Sequence, residues 1–311
     1  MRQAACASGL YRAAWWYREN EKARSAPSQG GETMPPAQQP TFTVGKLEVK
    51  AFNDGILKTS LDLVIGMDRA AAEALTGPTD NGALFIPVNN FVFQRDGMTI
   101  MIDAGAGNTM QKSLGKLPEN LRAGGIDPAS ITHILLTHIH PDHANGLVDD
   151  AGRAHYPNAE ILVSAQELDF WLGESLAGES ENTKRMHARA KIDLAPYRER
   201  IRRMRDGEEF AGCAAILAAG HSPGHTVWRI DGGGEAFISW GDIVHLSAIQ
   251  ISHPETPLTY DLDADQAVAA RKRVLDMAAS ERLMVAGAHV NAPGFGHVVR
   301  KGARFAFDYA A

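Results

Sequence analysis

From Thr41 onward, short apolar runs alternate with polar breaks that contain Gly, Pro, Asn or Asp. Thr41–Phe52 alternates as an edge strand does, and Asn53-Asp54-Gly55 reads as the turn that ends it. Met67–Leu75 has helical spacing and stops before Gly77-Pro78. Leu84–Gln94 and Met98–Ile102 read as strands joined through Arg95-Asp96-Gly97, a hairpin signal. Thr109–Gly125 predicts a helix broken at Pro118. Ile131–Thr137 is apolar and β-branched, as in a buried strand. Ala159–Ala165 predicts a strand, Gln166–Leu172 a helix, and Glu181–Arg205 a polar, mostly helical stretch with a break near Pro196. Ala214–Ala219, Thr226–Ile230 and Glu235–Trp240 are further strands, the last two a hairpin about Asp231-Gly-Gly-Gly234. Asp263 caps a helix reaching about Ser280, with Ala267, Ala270, Val274, Leu275 and Ala278 on one apolar face. Arg282–Ala286 closes the series as a strand. This order predicts an α/β protein of sheets covered by helices, not a closed β fold.

The first forty residues do not share the pattern. Trp15, Trp16 and Tyr17 cluster there, Arg12 interrupts any signal-like apolar core, and Ser25–Pro40 is rich in Pro, Gly, Gln and Ser. The expectation is a disordered extension and linker over 1–40, with Met34 a candidate true start, and a single folded domain over 41–311. A cytoplasmic location follows, with periplasmic export as the alternative.

Composition narrows the classes. The chain has 311 residues, 44% apolar and 22% charged, with a net charge of -6. That balance gives no reason to expect nucleic acid or an anionic membrane as partner. Two cysteines, Cys6 and Cys213, cannot build a disulfide framework or a thiolate metal site. Lys184–Arg205 holds nine basic residues against two acidic ones, a solvated face or a patch drawing anions toward a site.

The chemistry concentrates in Thr137-His-Ile-His-Pro-Asp-His143. His138, His140, Asp142 and His143 are all first-row metal ligands, and their mixture of imidazole and carboxylate suits zinc, manganese, iron or cobalt rather than calcium. Pro141 ends the strand, so the ligands stand on the loop beyond it. His225, Asp242 and His289 each follow an apolar strand and a Gly-containing loop. Five histidines and two aspartates are about what two four- to six-coordinate ions require when solvent completes each shell.

This pattern resembles the metallo-β-lactamase superfamily, with its His-x-His-x-Asp-His signature, from about Phe42 to the C-terminus. The resemblance implies a four-layer αβ/βα sandwich of two mixed sheets flanked by helices. It implies one ion held by His138, His140 and His225, a second by Asp142, His143 and His289, and Asp242 bridging them. The ions would be zinc first, with manganese, iron or cobalt as alternatives. Asp103, in Ile102-Asp-Ala-Gly-Ala-Gly, would orient a ligand from behind, and His221 would support the loop of His225. Gly241–Gln250, Tyr260–Asp263 and Ala288–His297 are similar to the branch of methyl parathion hydrolase and quorum-quenching lactonases.

That branch implies a homodimeric hydrolase of lactones or carboxylic esters, with organophosphate triesters as a further activity, by attack of a metal-bridging hydroxide. Asp142, Asp242 and His245 are the catalytic candidates. Phe91, Trp171, Leu246, Ile249 and His297 are candidates to line a pocket for a small, uncharged, hydrophobic substrate. Many lactonases of this kind place a tyrosine three residues after the bridging aspartate, where this chain has His245. The alternatives are a glyoxalase II-like thioesterase and a mono-iron persulfide dioxygenase.

Overall fold

The computed structural model describes residues 39–174, 178 and 180–310. The extension expected over 1–40 lies, up to residue 38, outside the described residues. Two seven-stranded sheets carry the fold. The first is ordered β1 to β7: Thr41–Val44, Leu47–Ser60, Ala83–Arg95, Met98–Ile102, His133–Leu135, Glu160–Ser164 and Ile201–Met204. Its first four strands are antiparallel neighbours, and from β4 onward the pairings are parallel. The second sheet holds β8 to β14: Glu209–Phe210, Cys213–Leu217, Thr226–Asp231, Ala236–Ser239, Met284–Ala286, Phe295–Lys301 and Arg304–Tyr309. Only β11 and β12 pair in parallel there. The helices are α1 (Arg69–Thr76), α2 (Leu117–Ala123), α3 (Pro141–Ala144), α4 (Ala165–Leu172), α5 (Glu181–Leu194), α6 (Ser247–Gln250) and α7 (Ala264–Glu281).

Apolar faces decide how these layers stack. Between the sheets lie Phe42, Phe91, Phe93, Trp228, Phe237 and Phe295, all buried. On the outer face of the first sheet, Leu117, Leu121, Leu168 and Leu194 from three helices cover Ile134, Leu136 and Ile161. On the outer face of the second, Ala270, Val274, Leu275 and Ala278 of α7 cover Val227, Ile238 and Val285. Each large apolar side chain buried in this way stabilises the fold by about 1.5–3 kcal/mol. The order helix, sheet, sheet, helix is the αβ/βα sandwich.

Four expected elements differ. The edge strand expected over Thr41–Phe52 is a hairpin instead, β1 paired antiparallel with the start of β2 across Gly45-Lys46. The turn expected at 53–55 is a bulge inside one long strand, where the register against β3 shifts between Asn53 and Gly55. Gly55 has φ +143, and a Cβ there would meet Ser113 O at 1.9 Å. The helix expected over 109–125 survives only as Leu117–Ala123. Backbone N–H groups of Ala106, Gly115 and Leu117 donate to the buried carboxylate of Asp54 instead of to helical carbonyls. The end of the expected 181–205 helix is strand β7, whose Ile201 pairs with Ile161. Its arginines point outward, Arg202 onto Glu160 at 2.9 Å and Arg203 onto Asp169 at 2.7 Å. With Lys184 on Glu181 and Arg189 on Asp193, several of the nine basic residues are ion-paired along this outer face, as the solvated-face reading has it. The hairpin β13–β14 is added to the expected elements. No helix among the described residues is long and apolar enough to cross a membrane.

Candidate metal centre

Strand ends place the ligand candidates. The chain leaves β5 at Leu135 and turns into α3 at Pro141, so His138 to His143 wrap the end of that strand. The parallel register of β11 and β12, Ser239 opposite Ala286, delivers Asp242 and His289 to one edge of the second sheet. The sheets are joined beside them: Thr226 N–H donates to Thr137 O at 2.8 Å, and Trp228 Nε1 to Leu136 O at 3.0 Å.

Two groups result. The ligand atoms of His138, His140, His221 and Asp242 lie within 4.8 Å of one another, and so do those of Asp142, His143, Asp242 and His289. Asp242 belongs to both, and its oxygens divide the work. Oδ2 is 3.2 Å from His221 Nε2 and 3.6 Å from His138 Nε2. Oδ1 is 3.0 Å from His143 Nε2 and 3.2 Å from His289 Nε2. Asp142 Oδ2 lies 3.4 Å from His289 Nε2 and 3.6 Å from His143 Nε2.

Four of the five ligand rings are fixed from behind. His143 Nδ1 is 2.8 Å from Asp103 Oδ2, His289 Nδ1 is 2.8 Å from Pro87 O, and His138 Nδ1 is 3.0 Å from Thr137 Oγ1. Asp103 also accepts from Thr137 N and Oγ1. His221 Nδ1 is 3.1 Å from Asp261 Oδ1, and Asp261 in turn faces the buried Arg271. With Nδ1 engaged, His138, His143, His221 and His289 each offer the Nε2 lone pair inward, whereas His140 faces His221 through Nδ1.

The residues fit a pair of divalent cations. The Nε2 atoms of His138, His140, His143 and His289, and Oδ1 of Asp242, are buried with no hydrogen-bond partner. His140 Nδ1 stands 2.8 Å from His221 Nε2, two nitrogens that need a proton or cation between them. Burial alone would depress His221, but Asp242 and Asp261 outweigh it and push it up to about 9. Against the same burial, Asp242 and Asp142 push His289 up to about 10. Burial holds His138 and His140 well below the usual imidazole range. Burial also opposes the charge on Asp242, yet His143, His245 and His289 hold it well below the usual carboxylate range. The cluster thus concentrates positive charge around Asp242, the arrangement a cation would supply in place of protons.

Several expectations need correction. His225 and His221 exchange places. His225 Nε2 accepts from the Asp242 backbone N–H at 2.9 Å, which uses the lone pair a metal would need. Gly241 allows this with φ +51, since a Cβ there would sit 2.7 Å from that nitrogen. His221, four residues earlier on the same loop, is the one turned to His140 and Asp242. Phe91 is buried in the core between the sheets, not in a pocket. Trp171 is also fully buried, its Nε1 donating to Glu167 Oε1 and its ring edge packing behind His140 at 5.5 Å. Leu246 and Ile249 are buried with Leu57, Ile86 and Leu258 under the long β2–β3 ribbon. His297 pairs with Met284 at the start of β12, the opposite end from His289, and its Nδ1 is held by Leu283 O.

His245 does reach the centre, with Nε2 2.8 Å from Asp242 Oδ2 and its ring stacked on His289 at 5.1 Å. Tyr260, 36% exposed, packs its ring 5.7 Å from that of His245 and bonds Thr59 Oγ1 through its hydroxyl. The Tyr260–Asp263 motif carries the branch resemblance without placing Tyr260 or Asp261 at the centre. Nothing in local periodicity marks them, because they come from the loop before α7.

The sequence profile of the metallo-β-lactamase superfamily matches residues 83–307. Among curated proteins, no sequence matches this chain. Among solved structures, a hydrolase of the β-lactamase superfamily, AbOPH, is 30% identical, with a TM-score of 0.82 over 86% of this chain and 95% of that one. AidC, described as a dizinc quorum-quenching lactonase with a product N-hexanoyl-L-homoserine, is 24% identical, with a TM-score of 0.82 over 89% and 99%. A probable metal-dependent hydrolase from Staphylococcus aureus is 22% identical, with a TM-score of 0.69 over 80% and 91%. With two mixed sheets flanked by helices, two His/Asp groups where strand ends of both sheets meet and a profile match across most of its length, this chain belongs to the metallo-β-lactamase superfamily.

Proposed function

We propose that the protein is a dinuclear metal-dependent hydrolase of lactones or carboxylic esters, with organophosphate triesters as a further activity. The observation that carries this reading is Asp242, whose two oxygens each face a separate group of metal-ligating side chains. His138, His140 and His221 would hold one ion, and Asp142, His143 and His289 the other, with zinc the first choice for so imidazole-rich a set. When bound, the ions supply Lewis acidity toward a carbonyl or phosphoryl oxygen and lower the pKa of water.

The chain's own groups then orient and exclude. Asp103, Thr137, Pro87 O and Asp261 fix the ring planes. Burial of every ligand keeps bulk water from competing at the centre. His245, held neutral by burial, keeps a proton at Nε2 toward Asp242, while its Nδ1 is buried without a partner and free to accept one. The lactonase reading is supported by AidC, and the triesterase reading by the branch to which residues 241–250 and 288–297 are similar.

The experiment is elemental analysis beside a panel of acyl-homoserine lactones, aryl esters and paraoxon analogues. Two ions per chain and lactone or ester turnover are expected, with Asp242→Ala losing metal and activity together. Unchanged hydrolysis by Asp242→Ala with one ion bound would overturn the dinuclear reading. Failure on the whole panel would overturn the substrate class. His245→Gln should keep both ions and lower kcat, and an unchanged kcat would remove His245 from the mechanism.

A further inference from the structure

Glu167, on α4, has no exposed surface, and its carboxylate is not among the ligand groups. Four donors converge on it. Ile139 N–H and Trp171 Nε1–H reach Oε1 at 2.9 and 2.7 Å. Ser222 Oγ–H and Gly224 N–H reach Oε2, both at 2.8 Å. Ile139 stands between His138 and His140, and Ser222 follows His221. One oxygen therefore holds the loop from the first sheet, and the other holds the loop from the second. Those two loops carry all three imidazoles of the first group.

A second observation points the same way. Gly224 lies so close to α4 that a Cβ would sit 2.2 Å from Glu167 N and 2.7 Å from its Cα. The loop of His221 is thus seated directly on the helix that bears the carboxylate. A shift of either loop would change the separation of His140 and His221, whose facing nitrogens are 2.8 Å apart.

We propose that Glu167 is a positioning residue for the first metal group: it sets the spacing of the 138–140 and 221–224 loops, and through it the affinity for the ion, without touching that ion. The inference rests on the dinuclear reading, and the two are separable. Chelator competition with Zn²⁺ is run in two backgrounds. His289→Ala leaves the first group as the intact one, and His221→Ala leaves the second.

Glu167→Gln replaces one acceptor oxygen by an NH₂ that faces two donors, so one loop must move. In the His289→Ala background it is expected to weaken Zn²⁺ binding roughly 10–100-fold. In the His221→Ala background the change is expected to stay within about 3-fold, inside the scatter of indirect effects. Equal weakening in both backgrounds would reduce Glu167 to general support of the fold and overturn the proposal, as would no change in either. Asp193→Asn, which alters another buried carboxylate facing Arg189, should leave both affinities unchanged. If Glu167→Gln does not fold, Ser222→Ala decides the matter. It removes one of the four donors and should weaken the first group alone, by roughly 3-fold. Absence of Zn²⁺ binding by the unsubstituted protein would instead defeat the dinuclear reading itself.

Discussion

The exchange of His221 for His225 shows what a side chain's second nitrogen decides. Both histidines sit on one six-residue loop, Gly220 to His225, and by residue type either could ligate. The choice is made by partners far away in sequence. Asp261 occupies Nδ1 of His221 and frees Nε2 for the centre, whereas the Asp242 N–H occupies Nε2 of His225. His221→Ala should therefore lose one ion of the two, and His225→Ala should keep both, as elemental analysis would show. The opposite result would return His225 to the ligand set. The other ligands were legible because strand, breaker and ligand follow one another directly in the chain. The pocket assignments were not, since an aromatic such as Phe91 or Trp171 reads the same in a core as in a cleft. Only the packing of Phe91 between the sheets and of Trp171 beneath the His140 loop separates the two.

Among the elements, those built on local periodicity were the readable ones: the β3–β4 hairpin, the strand before the histidines, and α7 with its Asp263 cap. The misread ones are those where a distant side chain or an exposed edge overrules local pattern. Residues 109–116 have helical composition, but their neighbourhood is organised by Asp54 from β2. Strand β7 is Ile-Arg-Arg-Met, an edge whose charges discourage further pairing and hide the strand signal at once. Asp54 accepts three backbone N–H groups with no exposure, so Asp54→Ala should strand those donors. A loss of about 3 kcal/mol is expected, read from the denaturant midpoint. A change under about 0.5 kcal/mol, the range of ordinary surface substitutions, would show that the loop finds other acceptors.

For the whole molecule, the centre couples protons, ions and stability. Without metal, His221 and His289 titrate at about 9 and about 10, so both hold protons at neutral pH. An ion needs those lone pairs and must expel the protons, so affinity should rise as pH climbs from 7 toward 10. The sign for the metal-free protein is opposite. Raised histidines contribute stability that is complete below their unfolded value, near pH 6.5, and is lost as pH rises through about 9 to 10. The gap in Tm between metal-loaded and metal-free protein should therefore widen from pH 6.5 to 9. A gap that narrows would mean the imidazoles are already deprotonated without metal.

The ligands are also divided between the two halves of the sandwich. His138, His140, Asp142 and His143 extend from the first sheet, and His221, Asp242 and His289 from the second. A loaded centre is thus a clasp across the seam. Neither half alone could retain the chemistry, and stripping the ions should loosen the docking of one half on the other before either half melts.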